Sequence, residues 1–412
     1  MKRITTALLC LLLTLTLLLS ATSCATVKAT ELSEGYRRAV EEGKMDASFV
    51  THAADFSLSL FNNALDPSGS NQLISPLSAL LCLALVYNGA DGETLSEMEQ
   101  VLGMSPDALN QSLFAYTSSL PVTEDSKLAL ANSIWFRDTD AFAVEEQFLQ
   151  TNADWFGAEI YKSPFNSSTV KDINSWCKKQ TDGMIDSIID RIPENGLMYL
   201  INALVFDAKW EEKYEKNDIR DRTFKSADGT SSLVDMMFSE ENTYLTGDGF
   251  RGFAKDYKGK GYSFVGLLPD EEGNIFDFVK TLGGETWLQM WNDRRNASVD
   301  VGIPEFTYSA DLDLTTALKS MGMEKMFTDT DADFSKLGQY AEGNIYCDSV
   351  MQKTFIEVNR HGTKAAAITW SFMAGEAEME TKSVILDRPF VYAIVDNVTG
   401  LPLFLGVVTA IH

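Results

Sequence analysis

The stretch FIEVNRHGTKAAAITWSF, residues 355–372, decides the fold of this chain. Its first five residues are typical of a strand, and from Thr363 onward a period of two separates two faces. One face carries only small uncharged side chains: Thr363, Ala365, Ala367, Thr369 and Ser371. Such a face can enter a sheet whose underside is already packed, because a larger side chain there would displace core atoms. Composition alone favours a different structure, a short Ala-rich helix followed by a surface loop.

The segment that follows, residues 374–380, is small and acidic, and its composition predicts an exposed, cleavable loop. Acidity extends to the whole chain, which has 412 residues, 34 Lys and Arg, 59 Asp and Glu, and a net charge of -25. With 45% apolar residues the chain is too hydrophobic to be disordered, and it lacks the basic surface that binding to nucleic acid requires. We therefore expect proteins or neutral small molecules as partners, and no nucleic acid.

The N-terminus has the pattern of an export signal. Lys2 and Arg3 precede an apolar run over residues 7–19, which is too short to cross a bilayer as an ordinary helix. We predict a signal peptide over residues 1–23, with Cys24 as a lipid anchor because Ala-Thr-Ser-Cys resembles a bacterial lipoprotein box; simple cleavage near Ala25 is the alternative. Residues 24–46 are polar and predict a tether. The protein is then secreted or lipid-anchored at the bacterial cell surface, and touches the membrane only through that lipid.

From residue 47 to residue 412 no linker interrupts the chain, which predicts a single domain. Helices come first: one over residues 49–64, a nearly all-apolar central helix from Ser75 to Tyr87, one capped by Thr94 to Glu97, and one starting at Ser105. Strands follow, beginning at Lys127 and including a long one over residues 198–210. This order predicts an α+β fold in which helices pack on a large, mainly antiparallel sheet.

Patterns of catalysis are missing from the sequence. Only three histidines occur and the nucleophile motif G-x-S-x-G does not, which argues against an extracellular serine hydrolase. No cysteines or histidines are spaced as metal ligands, so we expect neither a metal nor a cofactor. A solute-binding lipoprotein is a further alternative, but it would alternate strands and helices in two lobes.

Five ordered motifs resemble those of the serpins, the serine protease inhibitors that insert a loop into their own sheet. The hinge-like motif consists of Gly362, Thr363, Lys364, Ala365, Ala366 and Ala367. The shutter and breach motifs, which lie under and at the end of the main sheet in that family, supply Ser75, Ser78, Asn202, Trp210 and Gln352. The C-terminal signatures are residues 387–390 and 402–406. The resemblance implies the serpin fold, with further smaller sheets and an exposed reactive-centre loop at about residues 360–383.

Two positions depart from the family pattern. Arg360 stands where most inhibitory members have an acidic residue, and Gln352 stands where the shutter usually has His. Because Gln both donates and accepts hydrogen bonds, bonding to Ser75 or Asn202 can survive. An inhibitor is favoured, and a non-inhibitory protein of the serpin fold is the alternative.

The resemblance implies an irreversible suicide-substrate inhibitor, a monomer that traps an extracellular serine protease as a covalent acyl-enzyme complex. Thr363 is then the first residue to enter the sheet. The family's spacing from the hinge places the reactive bond at Glu376-Ala377; counted back from Pro389 it falls at Glu378. Met373, Ala374 and Ala377 suit proteases that accept small or medium apolar residues, whereas a glutamate-specific protease would use Glu376. No Lys or Arg occurs over residues 365–381, so the target is expected to be elastase-like or subtilisin-like, not trypsin-like.

Overall fold

The computed structural model describes residues 29–67, 70–270, 273–363 and 382–411. The helices are α1 (Phe49–Ala64), α2 (Pro76–Tyr87), α3 (Gly92–Leu102), α4 (Pro106–Ser119), α5 (Glu146–Phe156), α6 (Ser167–Gln180), α7 (Ile275–Val279), α8 (Gly284–Asn292) and α9 (Thr315–Met321). The strands are β1 (Thr30–Glu31), β2 (Gln72–Ile74), β3 (Ser126–Arg137), β4 (Phe142–Val144), β5 (Glu159–Ser163), β6 (Met198–Lys209), β7 (Ile219–Lys225), β8 (Ser231–Gly247), β9 (Phe250–Asp256), β10 (Tyr262–Pro269), β11 (Arg295–Pro304), β12 (Phe306–Asp313), β13 (Gly338–Tyr340), β14 (Met351–Val358), β15 (Gly362–Thr363), β16 (Lys382–Ile385), β17 (Phe390–Asp396) and β18 (Pro402–Val408).

The strands of the described residues form two large sheets and two small ones. The main sheet has the order β1-β5-β3-β6-β15, and a second runs β16-β11-β8-β9-β10-β17-β18-β2 with β7 paired to β8. Strands β12 and β14 form a separate pair, as do β4 and β13. Among these described strands, only the pairs β3–β5 and β11–β16 are parallel. The predicted α+β fold with a mainly antiparallel sheet is confirmed.

The helix predicted to be central occupies the core. Helix α2 starts at Pro76 after the N-cap Ser75, and every residue of it except Cys82 is buried. It packs against β6 of the main sheet and β18 of the second sheet. An apolar helix without a polar face needs such an environment, because apolar surface gains free energy only when it is removed from water.

A second, smaller core lies between the main sheet and α6. Trp135 stacks on Tyr161 with ring centroids 4.0 Å apart, and Ile201, Ala203 and Cys177 belong to the same cluster. Both faces of β6 are therefore covered over part of its length. A strand added beside β6 would have to fit between two packed layers.

Two sequence predictions fail for tertiary reasons. Helix α3 begins at Gly92, so Thr94 and Glu97 do not cap it; the Thr94 hydroxyl instead accepts from the Asp333 main chain, at 2.9 Å. Residues 29–46 do not lead away from the domain, because β1 pairs with β5 and the Arg38 guanidinium lies 5.0 Å from the Phe114 ring centroid. This part of the polar segment is packed on the domain and is not a free tether.

Candidate functional site

A gap separates β6 from β14. Strand β6 pairs with β3 on one side, and on the other only with the two residues of β15 at one end. Strand β14 pairs with β12 on its far side. Between them lies a cavity of about 20 Å³. Its lining residues are Leu204, Val205 and Phe206 of β6, Phe355, Ile356 and Glu357 of β14, Thr363 at the end, and Met184, Ile185 and Phe404 from other segments. The gap leaves one edge of β6 mostly unpaired within the described residues.

The chain crosses from β14 to β15 in a tight turn over residues 359–362. The main chains of Asn359 and Gly362 exchange hydrogen bonds of 3.0 and 3.1 Å. Gly362 has φ +142°, and a Cβ there would lie 2.2 Å from the Ala208 carbonyl oxygen and 2.7 Å from the Lys209 Cα. Both atoms belong to the main chain of β6 and cannot move aside. Only glycine therefore fits this position.

Thr363 already belongs to the main sheet. It pairs with Ala208, its side chain is 5% exposed, and its Oγ1 lies 2.8 Å from the Tyr257 hydroxyl. Burial raises the pKa of Tyr257, so this hydroxyl stays protonated and able to donate. The expectation that Thr363 is the first residue to enter the sheet is corrected, because Gly362 and Thr363 are both paired in this state.

Trp210 fixes the turn at the end of the sheet. Its indole Nε1–H donates to the Asn359 carbonyl oxygen at 2.9 Å, and its main-chain N–H donates to the His361 carbonyl oxygen at 3.2 Å. The ring stacks on Tyr257 with centroids 4.6 Å apart and planes 10° apart. Trp210 and Thr363 therefore both contact Tyr257. The sequence alone assigns no role to this residue, because it stands among charged residues just after β9 and both contacts come from distant parts of the chain.

The shutter residues form a buried cluster beneath the sheet. Gln352 bonds Ser75 in both directions: its Oε1 accepts from the Ser75 N–H at 2.8 Å, and its Nε2 donates to the Ser75 carbonyl oxygen at 2.9 Å. The Ser75 hydroxyl donates to the Leu403 carbonyl oxygen at 2.9 Å and accepts from the Ser78 N–H at 3.3 Å. Gln352 and Ser75 together thus join α2, β14 and β18.

Asn202 does not contact Gln352 by a hydrogen bond. Its Nδ2 donates to Asn132 Oδ1 at 2.9 Å, while its own Oδ1 is buried without a hydrogen-bond partner among the described residues. Such an unpaired acceptor is costly, at roughly 1–3 kcal/mol, and native proteins rarely leave one without a reason. Asn202 lies on the strand that borders the gap.

Arg360, which stands where the family pattern has an acidic residue, is paired with carboxylates. Its Nε lies 2.9 Å and its Nη2 3.2 Å from the two oxygens of Glu305, and its main-chain N–H also donates to Glu305 at 3.0 Å. This hydrogen-bonded carboxylate raises the pKa of the Arg360 guanidinium. Although Arg360 departs from the family pattern, it forms an ion pair with Glu305 at the turn.

The remaining predicted residues lie outside the described part of the chain. They are Cys24, Lys364, Ala365, Ala366, Ala367, Met373, Ala374, Glu376, Ala377 and Glu378. Within the part that is described, no three His, Cys, Asp or Glu side chains are grouped to hold a metal ion, and no helix has the length and hydrophobicity to span a membrane.

A gap beside a long central strand, a glycine hinge and a buried shutter cluster define the class of protein. The family model described as Serpin (serine protease inhibitor) matches residues 51–411. The chain belongs to the serpin family, and the resemblance seen in its motifs is confirmed. The sheets of the described residues are mainly antiparallel and do not form the two lobes of alternating strands and helices that the solute-binding alternative would have.

Two solved structures share this fold, and a further relative shares the sequence over most of its length. The native state of tengpin, a thermophilic serpin, is 43% identical, with a TM-score of 0.89 over 93% of this chain and 100% of that one. The latent state of the same protein gives a TM-score of 0.81 over 90% of this chain and 100% of that one, at the same 43% identity. Serpin B10 of Bos taurus is 30% identical over 389 residues, covering 86% of this chain and 96% of its own length.

Proposed function

We propose that this serpin is an irreversible suicide-substrate inhibitor of extracellular serine proteases, which inserts its cleaved loop into the gap between β6 and β14. The observation that carries this proposal is the gap itself, with the first two hinge residues already paired at one end of it. A native state with an incomplete sheet is metastable and persists for kinetic reasons. The TM-score is higher against the native state of tengpin than against its latent state, which supports a native state for this chain as well.

The register of β15 says where each later residue would go. Gly362 pairs with Lys209 and Thr363 with Ala208 in antiparallel sense, so each further residue would pair one position earlier on β6. Ala365 would then oppose Phe206, and Ala367 would oppose Leu204. Directly opposed residues share a face, and these two β6 side chains are large and buried. The small face identified in the sequence therefore falls where only small side chains fit.

The same register brings Thr369 opposite Asn202. The Asn202 Oδ1 is buried without a partner among the described residues, and a threonine hydroxyl can donate to it. On the other face, Ile368 would oppose Ala203 and Trp370 would oppose Ile201, both in the core beneath α6. Insertion would thus satisfy a polar group and add apolar contacts, which favours the inserted state.

The chemistry begins as ordinary proteolysis. The protease serine attacks the carbonyl carbon of the reactive residue, proposed to be Glu376, and the amine of Ala377 leaves with a proton. The loop stays attached to the protease as an ester. Insertion then drags the protease and distorts its active site before water can release the ester. A single chain suffices for each step, so we propose that the protein acts as a monomer.

The discriminating variant is Ala367→Arg, with Lys364→Ala as the control on the opposite face. We expect Ala367→Arg to be cleaved without forming an SDS-resistant complex, because an arginine opposite Leu204 cannot be buried. Lys364→Ala should still form the complex. A covalent band from Ala367→Arg, or none from the native protein with elastase-like, subtilisin-like and glutamate-specific proteases, would overturn the proposal; the second result would favour the non-inhibitory alternative.

We propose an elastase-like or subtilisin-like target because the loop has no basic residue. Mass spectrometry of the released C-terminal peptide identifies the bond: a start at Ala377 supports cleavage after Glu376, and starts at Ala374, Gly375 or Met379 support the alternatives. A peptide starting at Lys382 or later would refute all of them.

We also propose export, by the signal peptide over residues 1–23, to the cell surface or medium. Cys24 would carry the lipid, and residues 24–28 would join it to the packed segment that begins at residue 29. Labelling with a fatty acid tests this: the native protein should be labelled and partition into detergent, and Cys24→Ala should not. Equal labelling of both proteins would contradict the anchor.

A further inference from the structure

Lys255 on β9 is a buried charge that the proposed mechanism does not use. Its side chain is 2% exposed, and it is the one buried Lys or Arg among the described residues. Its Nζ lies 2.6 Å from Oε1 of Glu241 on the neighbouring strand β8. Burial by itself would lower the pKa of Lys255, but Tyr214, Glu241 and Glu212 together raise it, so the ammonium is retained. A buried ion pair of this kind contributes little to net stability.

The ammonium lies against two aromatic rings. Nζ is 4.6 Å from the ring centroid of Tyr214 and 5.6 Å from that of Trp210. The Tyr214 hydroxyl is held as well, at 3.1 Å from Ser239 Oγ, and that serine hydroxyl donates to Glu241 at 2.6 Å. Cation–π attraction is strongest where the cation is removed from water, as it is here. Charge, ring and hydroxyl thus keep Tyr214 and Trp210 in one arrangement.

These two aromatic residues hold three consecutive carbonyl groups of the hinge turn. The Asn359 carbonyl accepts from Trp210 Nε1, the Arg360 carbonyl from the Tyr214 N–H at 3.3 Å, and the His361 carbonyl from the Trp210 N–H. The turn cannot shift without breaking bonds to groups that the buried ammonium keeps in place.

We propose that Lys255 is a positioning residue for loop insertion, which holds the turn over residues 359–362 through Tyr214 and Trp210 and slows insertion of the uncleaved loop. This inference rests on the proposed function. Lys255 acts through these two aromatic residues, and no contact between it and the protease is proposed. Its effect is to keep the loop outside the sheet until cleavage.

The test replaces the pair together, as Lys255→Met with Glu241→Gln, so that no unpaired charge stays buried. The control is Arg251→Gln with Asp270→Asn, a partly exposed pair 2.7 Å apart on β9 and just after β10, away from the turn. Each protein is held at a temperature below its unfolding midpoint without protease, and conversion to a denaturant-resistant, inactive form is followed with time.

We expect the first double variant to convert roughly tenfold faster than the native protein. Loss of a desolvated cation–π contact should lower the barrier to conversion enough to change the rate by about that factor. The control should convert at the native rate. Lys255→Arg keeps a cation against the rings and should convert as slowly as the native protein. If Lys255 contributed only to general stability, replacement by arginine and replacement by methionine would change the conversion rate alike.

Tyr214→Leu is a second route to the same result, because it removes one ring and leaves the ion pair intact; it too should convert faster. If the double variant at Lys255 and Glu241 and the Tyr214→Leu variant both convert at rates within twofold of the control, the inference is overturned. Covalent complex formation by the native protein is measured alongside: if it is present while conversion rates are equal, the positioning role fails and the inhibitory function stands. If it is absent, the proposed function itself fails.

Discussion

Gly362→Ala tests the register on which the insertion mechanism depends. In the structure, an alanine Cβ at this position would lie 2.2 Å from the Ala208 carbonyl oxygen, 2.7 Å from the Lys209 Cα and 3.0 Å from the Trp210 nitrogen. All three atoms are main-chain atoms of β6 or its continuation. The φ of +142° is also one that alanine rarely adopts.

The expected cost has two parts. Strain at a glycine-only backbone conformation costs roughly 1–3 kcal/mol, and forcing an atom into packed surroundings costs roughly 1–3 kcal/mol more. Part of this is relieved if β15 leaves β6, so we expect a loss of about 3 kcal/mol in native stability, measured from the denaturant midpoint. We also expect a larger fraction of the protein to be cleaved without trapping the protease, because the same pairing would be needed after insertion.

Two other glycines separate the causes. Gly249 has φ +73° and an added Cβ there would meet no atom within 4 Å, so Gly249→Ala should cost only about 1 kcal/mol. Gly283 has neither feature but is the N-cap of α8, where glycine is preferred to alanine, so Gly283→Ala should cost at most about 1 kcal/mol. If Gly362→Ala were as stable as Gly283→Ala, the pairing of β15 with β6 would be refuted.

Three further substitutions test other parts of the site. Gln352→Ala should destabilise the native state by about 1–3 kcal/mol, because it leaves the buried Ser75 N–H unpaired and removes one of the two hydrogen bonds to the Ser75 carbonyl, which keeps the bond from the Ala79 N–H. Thermal unfolding measures the loss, and an unchanged midpoint would show that the shutter bonds do not contribute to stability. Arg360→Glu should cost about 1 kcal/mol at this partly exposed site, and adding Glu305→Arg should restore it, a rescue that a double-mutant cycle detects. The Lys209 ammonium, 2.6 Å from Asp125 Oδ1, lowers the pKa of Asp125, so the stabilisation from this carboxylate is fully present above its ordinary pKa of 3.8 and is lost as the pH falls further. Asp125→Asn should therefore flatten the pH dependence of the unfolding free energy below about pH 4. An unchanged slope would exclude this carboxylate as the cause.

Much of the architecture follows from local pattern. The apolar spacing of residues 49–64 predicts a helix that ends before Asp66, as α1 does, and the uniform hydrophobicity after Ser75 predicts a central helix, which α2 is. Long strands at β3 and β6 are likewise predicted by their side chains. These predictions succeed because helix and strand periods are properties of neighbouring residues.

Local pattern fails where a distant residue competes for the same atom. Thr94 has the position of a capping residue, but its hydroxyl serves Asp333 on another segment. Polar residues near the N-terminus predict a tether, but β1 pairs with β5 at the edge of the main sheet. Hydrogen-bond partners of this kind are set by the folded structure.

The family, the glycine hinge and the small alternating face of residues 363–371 can all be read from the order of the amino acids, since each is a property of consecutive side chains. Folding settles the rest: Gly362 and Thr363 are already paired, Gln352 bonds Ser75 and not Asn202, and a buried ammonium stands behind the turn. Lys255 comes from a part of the chain distant from Trp210 and Tyr214, and its charge is retained between their two rings because Glu241 on the neighbouring strand pairs with it and Tyr214 and Glu212 also favour the charged form. Such contacts depend on how strands pack in three dimensions, and no spacing along the chain encodes them directly.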